Sequence, residues 1–183
     1  MKSLPTTLPE VLLFELDSFG DSRGRFMETF RRDRYRELGL ELEFVQDNFS
    51  SSARDVVRGL HHQLEHPQGK LVHVTRGEIF DVAVDIRRGS PSFGKWFGAQ
   101  LSAANHYQLW IPPGFAHGFV ATSEQADVCY KVTANYMPAD ERSIQWNDPG
   151  IGIAWPIAGV PTLSVRDANA LTLTESELPT FLP

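Results

Sequence analysis

One cysteine, Cys129, occurs in the 183 residues. That excludes an intrachain disulfide, leaves only an intermolecular one open, and makes a reducing compartment the natural one. Long apolar runs are also missing. The opening MKSLPTTLPEVLLFEL has one lysine, two prolines and a short apolar stretch, which fits neither a secretory signal nor a membrane span. The expectation is a cytoplasmic protein with no membrane partner. No long basic run is present and the net charge is -6, which argues against a nucleic-acid partner. Internal repeats, linkers and changes of texture that would mark a second domain are absent, so residues 1–183 read as a single domain.

What is there is the composition of an ordinary globular chain, 42% hydrophobic and 22% charged, long enough to bury a core unaided. Residues 11–16, VLLFEL, read as an opening strand, and 29–38, TFRRDRYREL, as a short helix closed by Gly39. LEFVQDNFSSS reads as a strand running into a polar loop. From Val57 onward, short β-rich runs are separated by Gly, Pro and charged turns. TRGE forms a hairpin-like turn between KLVHV and IFDVAVDI, where Phe80, Val82, Val84 and Ile86 alternate with Asp81, Ala83 and Asp85. IPPGFAHGFVA is a rigid turn feeding a strand. This pattern predicts an all-β double-sheet jelly roll or barrel, with the tail after RSIQWNDPGIGIAWPI packed over one end.

The stretch RGLHHQLEHPQGKLVHVTRGE, residues 58–78, gathers four of the six histidines beside Arg58 and Lys70. Residue types alone admit a metal site, an acid–base site for an anionic substrate, or the polar face of a sheet. Against metal stands the lack of any His-x-His pair: His61 and His62 are consecutive, and consecutive strand residues point to opposite faces unless a bulge intervenes. His66, Glu65 and His117 remain conceivable co-ligands. Any one strand histidine can equally be hydrogen-bonded structure. The basic residues of DSRGR, with Arg58 and Lys70, could bind a diphosphate if the fold brings them together.

Seven segments, among them SFGDSRGRFMETF (18–30), RGLHHQ (58–63), QGKLVHVTRGEIFDVAVDIRRGSPSFGKW (68–96), LWIPPGFAHGFVA (109–121), YKVTANY (130–136), DERSIQWNDPGIGIAWP (140–156) and LSVRD (163–167), resemble the dTDP-4-dehydrorhamnose 3,5-epimerases in the family's order. The resemblance implies a cupin-like double-stranded β-helix, or jelly roll, with short peripheral helices, a homodimer, and neither metal nor organic cofactor. It implies as substrate a dTDP-4-keto-6-deoxyhexose, dTDP-4-dehydro-6-deoxy-D-glucose, inverted at C3 and C5 to dTDP-4-dehydro-β-L-rhamnose. By motif position the general base falls on His61, its carboxylate partner on Asp167, the opposite-face proton donor on Tyr130, and the lysine beside the C4 oxygen on Lys70. Substrate-binding positions fall on Gln46, Asn48, Arg58, His117 and Tyr136. Arg23, Phe26 and Glu28 match residues that the family carries across the dimer interface to the nucleotide. This chain departs from the pattern at His62, where an aromatic is more usual, at His73, where Arg is, and in TANYM, where TDYYS is. Relatives that invert only one centre share most of these residues.

The residue types suit that chemistry. C3 and C5 are both alpha to the C4 ketone, so one electrophile at O4 serves both proton abstractions through an enolate. An imidazole oriented by a carboxylate is a base suited to neutral pH. A tyrosine hydroxyl can return a proton from the other face without acting as a base. Without the resemblance, Asp167 could be a cap, Tyr130 an ordinary β former, and Phe26 and Trp110 either core or a surface for stacking thymine.

Overall fold

The computed structural model describes residues 1–41 and 43–181. In chain order the elements are β1 (Lys2–Leu4), β2 (Leu12–Glu15), β3 (Ser18–Asp21), β4 (Gly24–Met27), α1 (Arg32–Glu37), β5 (Gln46–Ala53), β6 (Val57–Gln63) and β7 (Lys70–Arg76). They continue with β8 (Glu78–Asp85), β9 (Trp96–Ser102), β10 (Tyr107–Ile111), β11 (Phe115–Ala121), β12 (Gln125–Val132), β13 (Glu141–Ser143) and α2 (Val165–Ala168). A six-stranded sheet in the order β1-β2-β10-β7-β12-β5 faces a five-stranded sheet in the order β13-β6-β11-β8-β9, and β3 and β4 form a separate hairpin. The fold is all-β, of the cupin jelly-roll kind with short helices. Among the described residues no helix is long and apolar enough to cross a membrane.

TRGE is a tight turn, but not a hairpin. β7 pairs with β10 and β12, whereas β8 pairs with β9 and β11, so the chain changes sheet at Gly77. This residue has φ +72, and a Cβ there would lie 1.9 Å from the Gln125 carbonyl oxygen, so a side chain is excluded. Pro112-Pro113-Gly114 makes a second change of sheet, between β10 and β11. Such crossings let residues close in sequence form opposite walls of one cavity.

The alternation in β8 is real, but its acidic face is not solvated. Phe80, Val82, Val84 and Ile86 join Ile144, Ile151, Leu173 and Leu178 in a cluster on the outer side of the five-stranded sheet. The C-terminal tail thus covers a sheet face rather than only an end. Ile79 and Ala83 enter the core between the sheets with Val72, Leu109 and Phe115, and Asp81 and Asp85 are fully buried there.

Two further expectations are corrected. LEFVQDNFSSS, expected as a strand running into a polar loop, is strand in its polar part: β5 starts at Gln46, after residues 43–45, and pairs with β12 along its whole length from Gln46↔Val132 to Ala53↔Gln125. Helix α1 begins at Arg32 rather than residue 29, because the Thr29 carbonyl is engaged by the Tyr35 hydroxyl and the Gln108 amide. Gly39 closes it as expected, at φ +89 with its N–H on the Arg36 carbonyl.

Candidate active site

A cavity of about 320 Å³ lies between the sheets and is lined by His61, Lys70, Tyr130, Gln46, Asn48, Arg58, His117 and Tyr136, together with Ser50, Gln68, Phe119 and Glu141. β6 contributes both Arg58 and His61 because its register against β11 shifts, with His117 opposite His61 but Phe119 opposite Arg58. Such a bulge re-aims side chains that strict alternation would separate. Gly59 lies inside it at φ +112, where a Cβ would meet the His117 carbonyl oxygen at 2.6 Å; only glycine lets the strands approach this closely.

His61 Nε2 is 2.6 Å from Asp167 Oδ1. Asp167 arrives on α2, whose N-cap Ser164 accepts its N–H. Burial alone would raise the Asp167 carboxyl, but the hydrogen bond and charge of His61, with Ser164 and the Gly59 backbone, outweigh it and hold the group below its ordinary value. A carboxylate accepts only, so the contact places the proton on Nε2 and leaves Nδ1 as the free basic nitrogen. His62, one residue on, points away from the cavity and is buried, as alternation requires.

A second imidazole–carboxylate pair stands beside the first: His117 Nε2 is 2.7 Å from Asp81 Oδ1, and both are buried. Burial lowers the His117 pKa, with the charge and hydrogen bond of Asp81 opposing. Lys70, the first residue of β7, is 9% exposed. Burial draws its ammonium down to about 8, and the charge of Asp81 works against that fall. Tyr130 enters from β12; burial raises its hydroxyl, partly countered by Arg58, so it stays protonated at neutral pH.

At the cavity margin, the Gln46 amide donates to Asn48 Oδ1 at 2.7 Å, the Tyr136 N–H to Gln46 Oε1 at 2.9 Å, and the Tyr136 hydroxyl to Glu141 Oε2 at 2.8 Å. Glu141 also pairs with Arg166, so its charge is locally neutralised. Arg58 donates to Ser52 Oγ at 3.0 Å and keeps further donors free. Arg23, Phe26 and Glu28 do not reach the cavity of their own chain. Arg23 and Phe26 stand on the β3–β4 hairpin, Arg23 paired with Asp21 and Phe26 70% exposed, and Glu28 follows it, paired with Arg31 and Arg34.

Sequence reasoning missed Glu141, Ser50, Gln68 and Phe119. Ser50 was recoverable from the period of two that runs through Gln46 and Asn48; Glu141 lay in a recognised segment without a role attached. Among the described residues no group of three His, Cys, Asp or Glu side chains is arranged to hold a metal ion.

The family profile described as dTDP-4-dehydrorhamnose 3,5-epimerase matches residues 5–175. The chain belongs to the dTDP-4-dehydrorhamnose 3,5-epimerase family. It is thereby a carbohydrate epimerase acting in nucleotide-sugar chemistry. A dTDP-4-dehydrorhamnose 3,5-epimerase from Pseudomonas aeruginosa is 51% identical over 178 residues, covering 97% of this chain and 98% of that protein. One from Neisseria gonorrhoeae is 52% identical over 97% of this chain, which spans only 54% of that longer protein. A crystal structure of the Legionella pneumophila dTDP-6-deoxy-D-glucose-3,5-epimerase in complex with dTDP-4-keto-L-rhamnose superposes with a TM-score of 0.97 at 48% identity, covering 100% of this chain and 99% of that one. The family also contains single-centre enzymes: a dTDP-4-dehydrorhamnose 3-epimerase from Streptomyces niveus is 41% identical, over 89% of this chain and 79% of that protein.

Proposed function

We propose that this enzyme inverts both C3 and C5 of dTDP-4-dehydro-6-deoxy-D-glucose without a cofactor, giving dTDP-4-dehydro-β-L-rhamnose. The observation that carries the reading is that His61, paired with Asp167 of α2, stands on one sheet and Tyr130 and Lys70 on the facing one, around a single cavity. His61 Nδ1 removes the proton alpha to the ketone, and the imidazolium is supported by Asp167. Lys70, charged below about pH 8, takes the negative charge that develops on O4 in a cavity shielded from water. Tyr130 then delivers its hydroxyl proton to the carbanion from the opposite face. Solvent restores that proton and removes the one held by His61. Gln46, Asn48, Arg58, His117 and Tyr136 bind the substrate. The working unit is a homodimer in which the β3–β4 hairpin and the turn after it carry Arg23, Phe26 and Glu28 to a partner's nucleotide, and its place is the cytoplasm.

A second reading, inversion at one carbon only, is favoured by the likeness to the Streptomyces niveus 3-epimerase. NMR of the dTDP-4-keto sugar in D2O reports exchange and inversion at each carbon separately. Inversion at C3 and C5 is expected; inversion at one carbon supports the second reading. Binding without exchange at either carbon would point to a non-catalytic nucleotide-sugar protein. Turnover is expected to survive exhaustive chelation, and loss with EDTA restored by one divalent ion would overturn the cofactor-free mechanism.

A further inference from the structure

Among the described residues that line the cavity, every side chain carries nitrogen or oxygen except that of Phe119, which is hydrocarbon throughout. The sugar proposed for this cavity has a matching exception. Its ring carbons bear oxygen at every position but C5, which bears a methyl group. Phe119 follows His117 by two positions on β11, so both project from the same face, with ring centroids 6.3 Å apart. His117 in turn stands opposite His61 in the β11–β6 register. The benzyl group is therefore one step along the strand from the proposed base. It is 3% exposed and belongs to the core cluster with Val72 and Val128. The core thus fixes the ring from behind, and what it offers the cavity is a small, rigid hydrocarbon face.

We propose that Phe119 is a specificity-determining residue, whose ring receives the C5 methyl group and selects 6-deoxy sugars over their 6-hydroxy counterparts. This rests on the substrate proposed above. The thymine of that substrate is apolar too, but proton abstraction requires the sugar to lie at His61 and Lys70. The nucleotide then extends to the margin, where Tyr136 is 46% exposed. Hydrocarbon contact suits a centre that inverts, because it has no preferred direction. Inversion at C5 carries the methyl group across the mean plane of the sugar, and an aromatic face can touch it before and after. A hydrogen-bonding wall would favour one configuration. A hydroxymethyl group in the same place brings a hydroxyl against a ring that offers it no partner, at the cost of its hydrogen bond to water.

Three sugars that carry a C4 hydroxyl in place of the ketone, and so cannot react, test the contact by calorimetry: dTDP-6-deoxyglucose, dTDP-glucose and dTDP-xylose, the last lacking C6. The parent protein is expected to bind dTDP-6-deoxyglucose about fourfold more tightly than dTDP-xylose, the worth of one buried methylene. It is expected to bind dTDP-glucose more weakly than dTDP-6-deoxyglucose by about tenfold, within what an apolar wall achieves against an added hydroxyl. In Phe119→Ala the three affinities are expected to converge, and because they are compared within one protein, a general loss of stability does not imitate the result. Phe119→Leu keeps the core filled with hydrocarbon and decides by a second measurement should Phe119→Ala not fold. The methyl proton resonance of bound dTDP-6-deoxyglucose is expected to move upfield in the parent, through the ring current of Phe119, and to lose that shift in Phe119→Leu. A parent that does not prefer the 6-deoxy sugar overturns the proposal, as does a preference unchanged in Phe119→Ala or an upfield shift retained in Phe119→Leu. If the parent binds none of the three, the substrate reading falls and the proposal with it; if it binds them with the expected order but does not epimerise the keto sugar, the contact stands and the catalytic reading alone fails.

Discussion

His61 donates through Nε2 to a buried Asp167 carboxylate 2.6 Å away, and so meets the cavity with Nδ1. Asp167→Asn leaves the shape but removes both the tautomer selection and the support of the imidazolium. A fall in kcat of about a hundredfold or more is expected, with KM little changed. The same variant has a signature in stability. Asp167 lies below its ordinary 3.8 in the folded protein, so its contribution is complete above that value and drains away as pH falls toward the depressed folded pKa. Acid unfolding of Asp167→Asn, followed by circular dichroism, is expected to be flatter than that of the parent below pH 3.8.

On the proposed mechanism, Lys70 is expected to set the alkaline limit. The role at O4 needs the ammonium, whose pKa is about 8, whereas the Tyr130 hydroxyl is held above its ordinary value. The pH profile of kcat/KM is expected to fall above about 8, and Lys70→Met to abolish turnover while remaining folded. Because the folded pKa lies below the unfolded 10.5, burying the ammonium costs stability in full below about 8, and the cost is relieved as pH rises toward 10.5. Lys70→Met is therefore expected to be more stable than the parent at pH 7 by an amount on the order of a few kcal/mol, an advantage that shrinks in alkali. A folded Lys70→Met with normal turnover would remove the lysine from the mechanism.

His61→Asn and Tyr130→Phe should separate exchange from inversion. Without the base no enolate forms, and deuterium incorporation and epimerisation vanish together. Without the tyrosine, His61 still abstracts a proton and returns deuterium to the same face, giving washout with retained configuration, provided return outruns product release. Equal loss of both signals in folded Tyr130→Phe would transfer the donor role to Tyr136.

Sharing of sites between protomers has a mixing test. Arg23→Ala is expected to raise KM more than it lowers kcat, since a charge-assisted phosphate contact is lost. Subunit exchange between Arg23→Ala and His61→Ala proteins is expected to restore activity beyond the sum of the two. Simple additivity would place Arg23 outside the partner's site.

Much of this was legible in the sequence because strand chemistry is local. The alternation of IFDVAVDI placed Val82 and Val84 on a common face correctly, and the consecutive His61 and His62 did diverge. The extent of β5 was misread because it lines a polar cavity: Gln46, Asn48 and Ser50 face inward while Asp47 and Ser51 face outward, so no apolar face remains to mark where the strand runs. Gly77 was read rightly as a turn but wrongly as a hairpin, since the residue type fixes a local dihedral and not the sheet to which the next strand belongs. The His117–Asp81 pair escaped notice for a related reason: its partners join through a ladder between β8 and β11 that only the fold brings into register.

His61 and Asp167 stand 106 positions apart, with seven of the eleven strands of the two sheets between them. On the ribosome, the imidazole is in place long before its partner emerges. A nascent or prematurely terminated chain that lacks Asp167 holds an unsupported histidine, so the proposed chemistry waits until α2 has been made.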